Sequence, residues 1–224
     1  MAETKSVSIL KLIAIPAVIT LAVTILRLVG ELQHWPTPWF STAAGGGAAV
    51  VGISWLPIIF GPYFALKLVD AGEGPSSIGK AIGFAFVSLV VFVAAGAWFA
   101  ASVAHPSFLT LFPLLLMLAS AFVPRIGWPS LDNVLVAYAF AARIPVLVVM
   151  YLAMHANGGA GWGTHYDAVP PTMAQTTLGM KFLYAAVAPQ MTLWIGWTAV
   201  LGSIFGTVAV AIARRGKHPA PAAA

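Results

Sequence analysis

The chain has 224 residues, 60% of them hydrophobic and 8% charged, with a net charge of +5 at pH 7 and no cysteine. Soluble domains are about 45–50% apolar and about 25% charged, and no interior of this size hides so much apolar surface; the same balance excludes a disordered chain. Without cysteine there are no disulfides, no thiol catalysis, no Fe–S cluster and no covalent c-type haem.

The composition prescribes an all-α integral membrane protein whose main partners are membrane lipids. A membrane helix needs about 20 apolar residues. Six runs meet or approach that length, at 9–30, 47–69, 80–104, 108–123, 133–155 and 178–213. They predict a bundle of about six transmembrane helices forming a single domain over 1–214, followed by a flexible cytoplasmic tail over 215–224. The first run is too long for the core of a signal peptide, lacks a small-x-small cleavage site and is closed by Arg27 and Glu31, so it reads as an uncleaved helix. The fourth run covers only about 24 Å at 1.5 Å per residue, short for a full crossing and compatible with a re-entrant hairpin. The sixth contains Pro189-Gln190, which predicts a kink or a tilt.

Orientation follows from the basic residues. Lys5, Lys11, Lys67, Lys80, Arg125, Arg214, Arg215 and Lys217 fall at one set of span ends, and only Arg27 and Lys181 at the other. The positive-inside tendency then puts both termini in the cytoplasm, with the protein multi-pass in a bacterial inner membrane. No basic stripe suggests nucleic acid.

Arg143 lies mid-span in Ala-Ala-Arg-Ile-Pro-Val, where a charge costs at least about 2.5–3.5 kcal/mol and must face the bundle interior. Gln190 sits at a similar depth beside its own proline, so the two are expected to meet or to share a polar cavity. The bland alternative is an interhelical clamp. Arg27, Glu31 and His34 follow at i, i+4 and i+7 along the end of the first span and can share one helical face. They suggest either an interfacial ion pair or part of a metal site.

The last long connection holds Gly161-Trp162-Gly-Thr-His165-Tyr-Asp167-Ala-Val-Pro-Pro171, a shaped turn rather than regular structure. His165 is a candidate general base with Asp167 to orient it. Glu31, His34, His165 and Asp167 together form a candidate N/O site for a divalent metal. The plainer account of the turn is an Asx-type loop. Arg27, Arg143, Gln190 and Trp162 are the candidate ligand-binding residues.

No histidine lies mid-span, so haem is not expected, and no phosphate-loop or dinucleotide motif is present. Gly45-Gly46-Gly47 reads as an aid to close helix packing, and Asp70, Glu73 and Asp132 as solvated caps. Three classes of function are compatible with this pattern. One is a binding or transport protein with an outward-facing polar cavity for a small anionic or amphipathic ligand. Another is an accessory or structural membrane subunit whose polar groups lock its helices together, with a membrane-protein partner or further copies of itself as company. The third is a membrane enzyme acting on a lipid-like substrate.

Overall fold

The computed structural model describes residues 7–47, 49–102 and 108–215. The chain is 76% helix, with no strands among the described residues, as it must be where lipid offers the backbone no hydrogen bonds. Among the described residues, four helical stretches are long and apolar enough to cross a membrane: Ile9–Leu32, Ile78–Ser102, Pro129–Gly159 and Leu178–Arg215. The first, α1 (Ile9–Leu32), and the second, α3 (Ile78–Ser102), are single helices. The third is α5 (Pro129–His155) with a short 3₁₀ extension.

The fourth is interrupted. It runs from α6 (Leu178–Lys181) through a π-helical segment, Phe182–Val187, into α7 (Ala188–Met191), breaks at Thr192, and continues as α8 (Leu193–Arg215). Pro189 cannot donate to the carbonyl four residues back, which accounts for a disruption at this point. Thr192 partly repairs the ladder by donating its hydroxyl to the Ala188 carbonyl at 2.6 Å.

Two expected spans are shorter than their hydropathy suggested. The run over 47–69 yields α2 only from Leu56 to Asp70, because its glycine-rich first third forms a loop. The fourth run yields α4 (Leu111–Ser120) and a 3₁₀ turn, Val123–Ile126. Residues 103–107, ahead of that run, lie outside the described residues, as does the tail from 216 onward.

Aliphatic side chains such as Leu10, Val18, Val90 and Ile212 are exposed on the outside of the bundle, where lipid rather than water is the natural neighbour. Inside, an aromatic cluster joins α2 to α5: the Tyr138 ring stands 5.5 Å from Phe60 and 5.4 Å from Phe64, centroid to centroid. The Tyr138 hydroxyl shares a 2.7 Å hydrogen bond with Thr20 of α1. At one end of the bundle, Glu73 receives the Val7 amide at 2.8 Å on its side chain and the Trp128 indole at 2.8 Å on its carbonyl. Those bonds gather the start of α1, the α2–α3 turn and the start of α5. Asp132, expected to be a solvated cap, is instead buried there with neither carboxyl oxygen hydrogen-bonded.

Between lipid-embedded helices, close backbone approach replaces the hydrophobic effect as the source of cohesion. Gly202-Ser-Ile-Phe-Gly206 on α8 supplies it: a Cβ on Gly61 would overlap the Gly202 carbonyl, and a Cβ on Gly206 would lie 2.8 Å from the Gly61 carbonyl. Gly61→Ala should therefore cost about 3 kcal/mol in thermal unfolding, the upper end for overpacking, because backbone atoms cannot rotate aside. Gly83→Ala, with nothing within 4 Å of the added carbon, should instead gain about 0.5–1 kcal/mol.

Candidate functional site

A cavity of about 260 Å³ opens between α1, the loop before α2, α5, the 156–177 connection and the broken helix. Its polar wall is built around Glu31, whose side chain is wholly buried. Arg27 sits one turn earlier and donates Nε to Glu31 Oε1 at 2.8 Å. From 134 residues further on, His165 brings its backbone N–H to Oε2 at 2.8 Å and its Nδ1 to Oε1 at 2.6 Å. The carboxylate only accepts, so Nδ1 carries the proton and Nε2 is left as the basic nitrogen.

Arg27 does not snorkel outward. Its Nη2 donates to the Gly46 carbonyl at 2.8 Å and to the Ser41 carbonyl at 3.2 Å. Two of the glycines preceding α2 thus pack on a guanidinium and not between helices: a Cβ on Gly46, whose φ is +89°, would stand 3.1 Å from Arg27 Nη2, and one on Gly52 3.0 Å from Nη1. The connection carrying His165 is pinned a second time where the Tyr166 hydroxyl donates to the Thr24 carbonyl at 3.1 Å. Burial lifts the Tyr166 phenol well above the usual range, so it stays protonated and able to donate.

Arg143 projects from the middle of α5 into the same cavity, 4% exposed. Among the described residues it donates one long hydrogen bond, Nη1 to Gln190 Oε1 at 3.5 Å, and its Nε is buried without a partner. The Trp194 ring lies against the guanidinium, 4.7 Å from centroid to Cζ. Gln190 in turn directs Nε2 toward Met150 Sδ at 3.7 Å. A guanidinium has five N–H donors. This one is desolvated and largely unsatisfied.

The candidates named from sequence divide clearly. Arg27, Glu31 and His165 come together, as do Arg143 and Gln190, and all but the enclosed Glu31 line the same cavity. Asp167 does not orient His165. Its carboxylate closes its own loop, accepting from the Gly163 and Thr164 amides at 2.9 Å each and from the Thr164 hydroxyl at 2.6 Å. Glu31 takes the orienting place. His34 is exposed at a left-handed turn, φ 53°, just past α1.

The four candidate metal ligands therefore do not converge, and among the described residues no three His, Asp or Glu side chains are grouped to hold a metal. Trp162 packs against the cluster around Val146 and Met150 and is not among the residues lining the cavity. Trp194, which the sequence did not single out, is a cavity residue as well. Its i, i+4 spacing from Gln190 was the available signal. No protein-family model, curated protein or solved structure matches this chain.

His165 couples the site to pH. Burial pulls its pKa below the ordinary histidine value, outweighing the Glu31 hydrogen bond that pulls it up, with Arg27 adding to the depression. The unfolded chain then takes up the proton more readily than the folded one. Stability present at neutral pH should fall as the pH drops below about 6.5, with a slope of at most about 1.4 kcal/mol per pH unit from this group. Thermal unfolding of His165→Gln between pH 7 and pH 5 should show a shallower decline than wild type.

Proposed function

We propose that this protein binds a small anionic or amphipathic molecule in the cavity between α1, α5 and α8, as a binding or transport protein of the inner membrane. The charge distribution supports a six-pass arrangement with both termini in the cytoplasm and the cavity opening outward. One observation carries the reading: a buried arginine, held against Trp194 in a cavity, donates a single long hydrogen bond among the described residues. A charge desolvated to that degree favours a negative ligand strongly, because the surroundings screen it little.

The absence of native cysteine makes a direct test simple. A single cysteine at Ala49, on the cavity wall, should react in membranes with an anionic thiosulfonate applied from outside faster than with its cationic counterpart. The preference should vanish in the Arg143→Gln background. Equal rates for the two reagents in the wild-type background would overturn the reading.

A second reading rests on the His165–Glu31 pair. A histidine oriented by a buried carboxylate at a cavity wall is equipped for acid–base chemistry on a lipid-like substrate. It predicts turnover that His165→Gln removes while leaving anion binding in place.

A further inference from the structure

We propose that the cavity selects a monocarboxylate with a short apolar body over phosphate, sulfate or a dicarboxylate, a ligand class that rests on the anion-binding reading. The charges facing the cavity are Arg27, Arg143 and His165. Arg27 is already matched by Glu31 at 2.8 Å, and its Nη2 is spent on two carbonyls. Burial, which outweighs the opposing pull of its bond to Glu31, keeps His165 uncharged near neutral pH. One positive charge is left unmatched, that of Arg143, and one negative charge neutralises it. A second negative charge on the ligand would lie in a low-dielectric wall with nothing to oppose it.

Geometry points the same way. Trp194 lies against the guanidinium, 4.7 Å from ring centroid to Cζ, and leaves its N–H edges as the groups with which to meet a ligand. Two parallel N–H groups on an edge match the two coplanar oxygens of a carboxylate. The Gln190 amide, whose Nε2 now faces only a thioether at 3.7 Å, is placed to add a further donor. Among the remaining lining residues, Ile53, Val146, Met150, Ala185 and Pro189 contribute apolar surface alongside the polar Thr24 and Ser54. That surface suits a hydrocarbon chain and leaves the outer oxygens of a tetrahedral oxyanion unsatisfied. At about 260 Å³ the space falls below the roughly 300–1,000 Å³ of drug-sized sites, which limits the chain to a few carbons.

The test is thermal unfolding of the detergent-solubilised protein with sodium acetate, propionate, butyrate, hexanoate, phosphate, sulfate and chloride at matched ionic strength. Each shift is read as wild type minus Arg143→Gln, which removes general salt effects. Propionate and butyrate should stabilise the wild type in a saturable way, with affinity at least roughly 100-fold weaker in Arg143→Gln. Phosphate, sulfate and chloride should give no difference.

Stabilisation by phosphate or sulfate without carboxylates would overturn the carboxylate assignment and leave the anion cavity standing. No effect of any anion would overturn both. A carboxylate shift of equal size in Arg143→Gln would place binding elsewhere and overturn the proposal. Should Arg143→Gln not fold, Ala185→Leu serves in its place: it narrows the apolar wall without touching the charge, so binding of hexanoate should weaken far more than that of acetate. Equal weakening of the two would count against a chain-binding wall.

Discussion

Replacing Arg143 by methionine is expected to raise the unfolding temperature of the ligand-free protein while abolishing its response to anions. A structural clamp predicts the opposite sign for stability, so the experiment separates the two roles. The favourable contacts at stake are a 3.5 Å hydrogen bond and a cation–π contact with Trp194. The first is too long to contribute much, and the second contributes up to about 2 kcal/mol when desolvated. Against them stands the cost of a charge mid-span, at least about 2.5–3.5 kcal/mol, and a buried Nε with no acceptor.

Exchanging poorly satisfied buried charge for an apolar side chain of similar length typically gains about 1–4 kcal/mol. At about 2–4 °C per kcal/mol for a chain of this size, the midpoint should rise by several degrees. A fall of similar size would mean that Arg143 holds the helices together. Stability gained as binding is lost is the usual pattern where a site is kept unsatisfied for its ligand.

Glu31→Gln should have the largest destabilising effect of any single polar substitution in the cavity wall. The carboxylate takes donors from Arg27 and twice from His165, with its own side chain wholly out of solvent. A glutamine keeps one acceptor oxygen and turns an NH₂ toward groups that themselves donate. Arg27 is left with its charge unmatched in a buried position. Breaking such a pair costs about 3–5 kcal/mol, readable as a drop of roughly 6–20 °C in the unfolding midpoint.

The loss should have a local signature, because His165 ties the 156–177 connection to α1. Limited proteolysis should cut that connection first in Glu31→Gln. His165→Ala should cost less, since it leaves the Arg27–Glu31 pair closed. In the Arg27→Gln, Glu31→Gln double variant the losses should fall well short of their sum, as befits a shared contact.

Helix and membrane character were legible from hydropathy alone, and so was the pairing of Arg143 with Gln190. A charge in the middle of an apolar run has nowhere to go but inward, and a second polar residue at the same depth is its natural neighbour. Arg27 and Glu31 were legible for a different reason, since i, i+4 spacing fixes their proximity once the helix is granted. His165 was visible as a functional group, but its partner was not: no local rule connects it to a carboxylate 134 residues away. Proximity in sequence favoured Asp167, and the loop's own amides had already claimed that side chain. The start of α2 is hidden in the sequence, because Gly45 to Trp55 is apolar enough to resemble a span. Gly46 and Gly52 there pack on Arg27 instead.

The order in which these contacts are made along the chain bears on how the protein is built. The spans differ in mean hydropathy, from 2.5 for α1 to 2.0 for the stretch beginning at α5 and 1.9 for the last, and the α5 stretch also holds Asp132 and Arg143. When α5 leaves the ribosome, Thr20 is already in the membrane to receive Tyr138, but the groups that flank Arg143 have not been made. Gln190 follows 47 residues later, and at roughly 5–20 residues per second that interval is about 2–9 s. Of the long spans made by then, the α5 stretch is the least apolar and carries a charge at mid-span. Its insertion thus depends on the arrival of α7 and α8, and the last third of the chain acts as an escort for the helix before it.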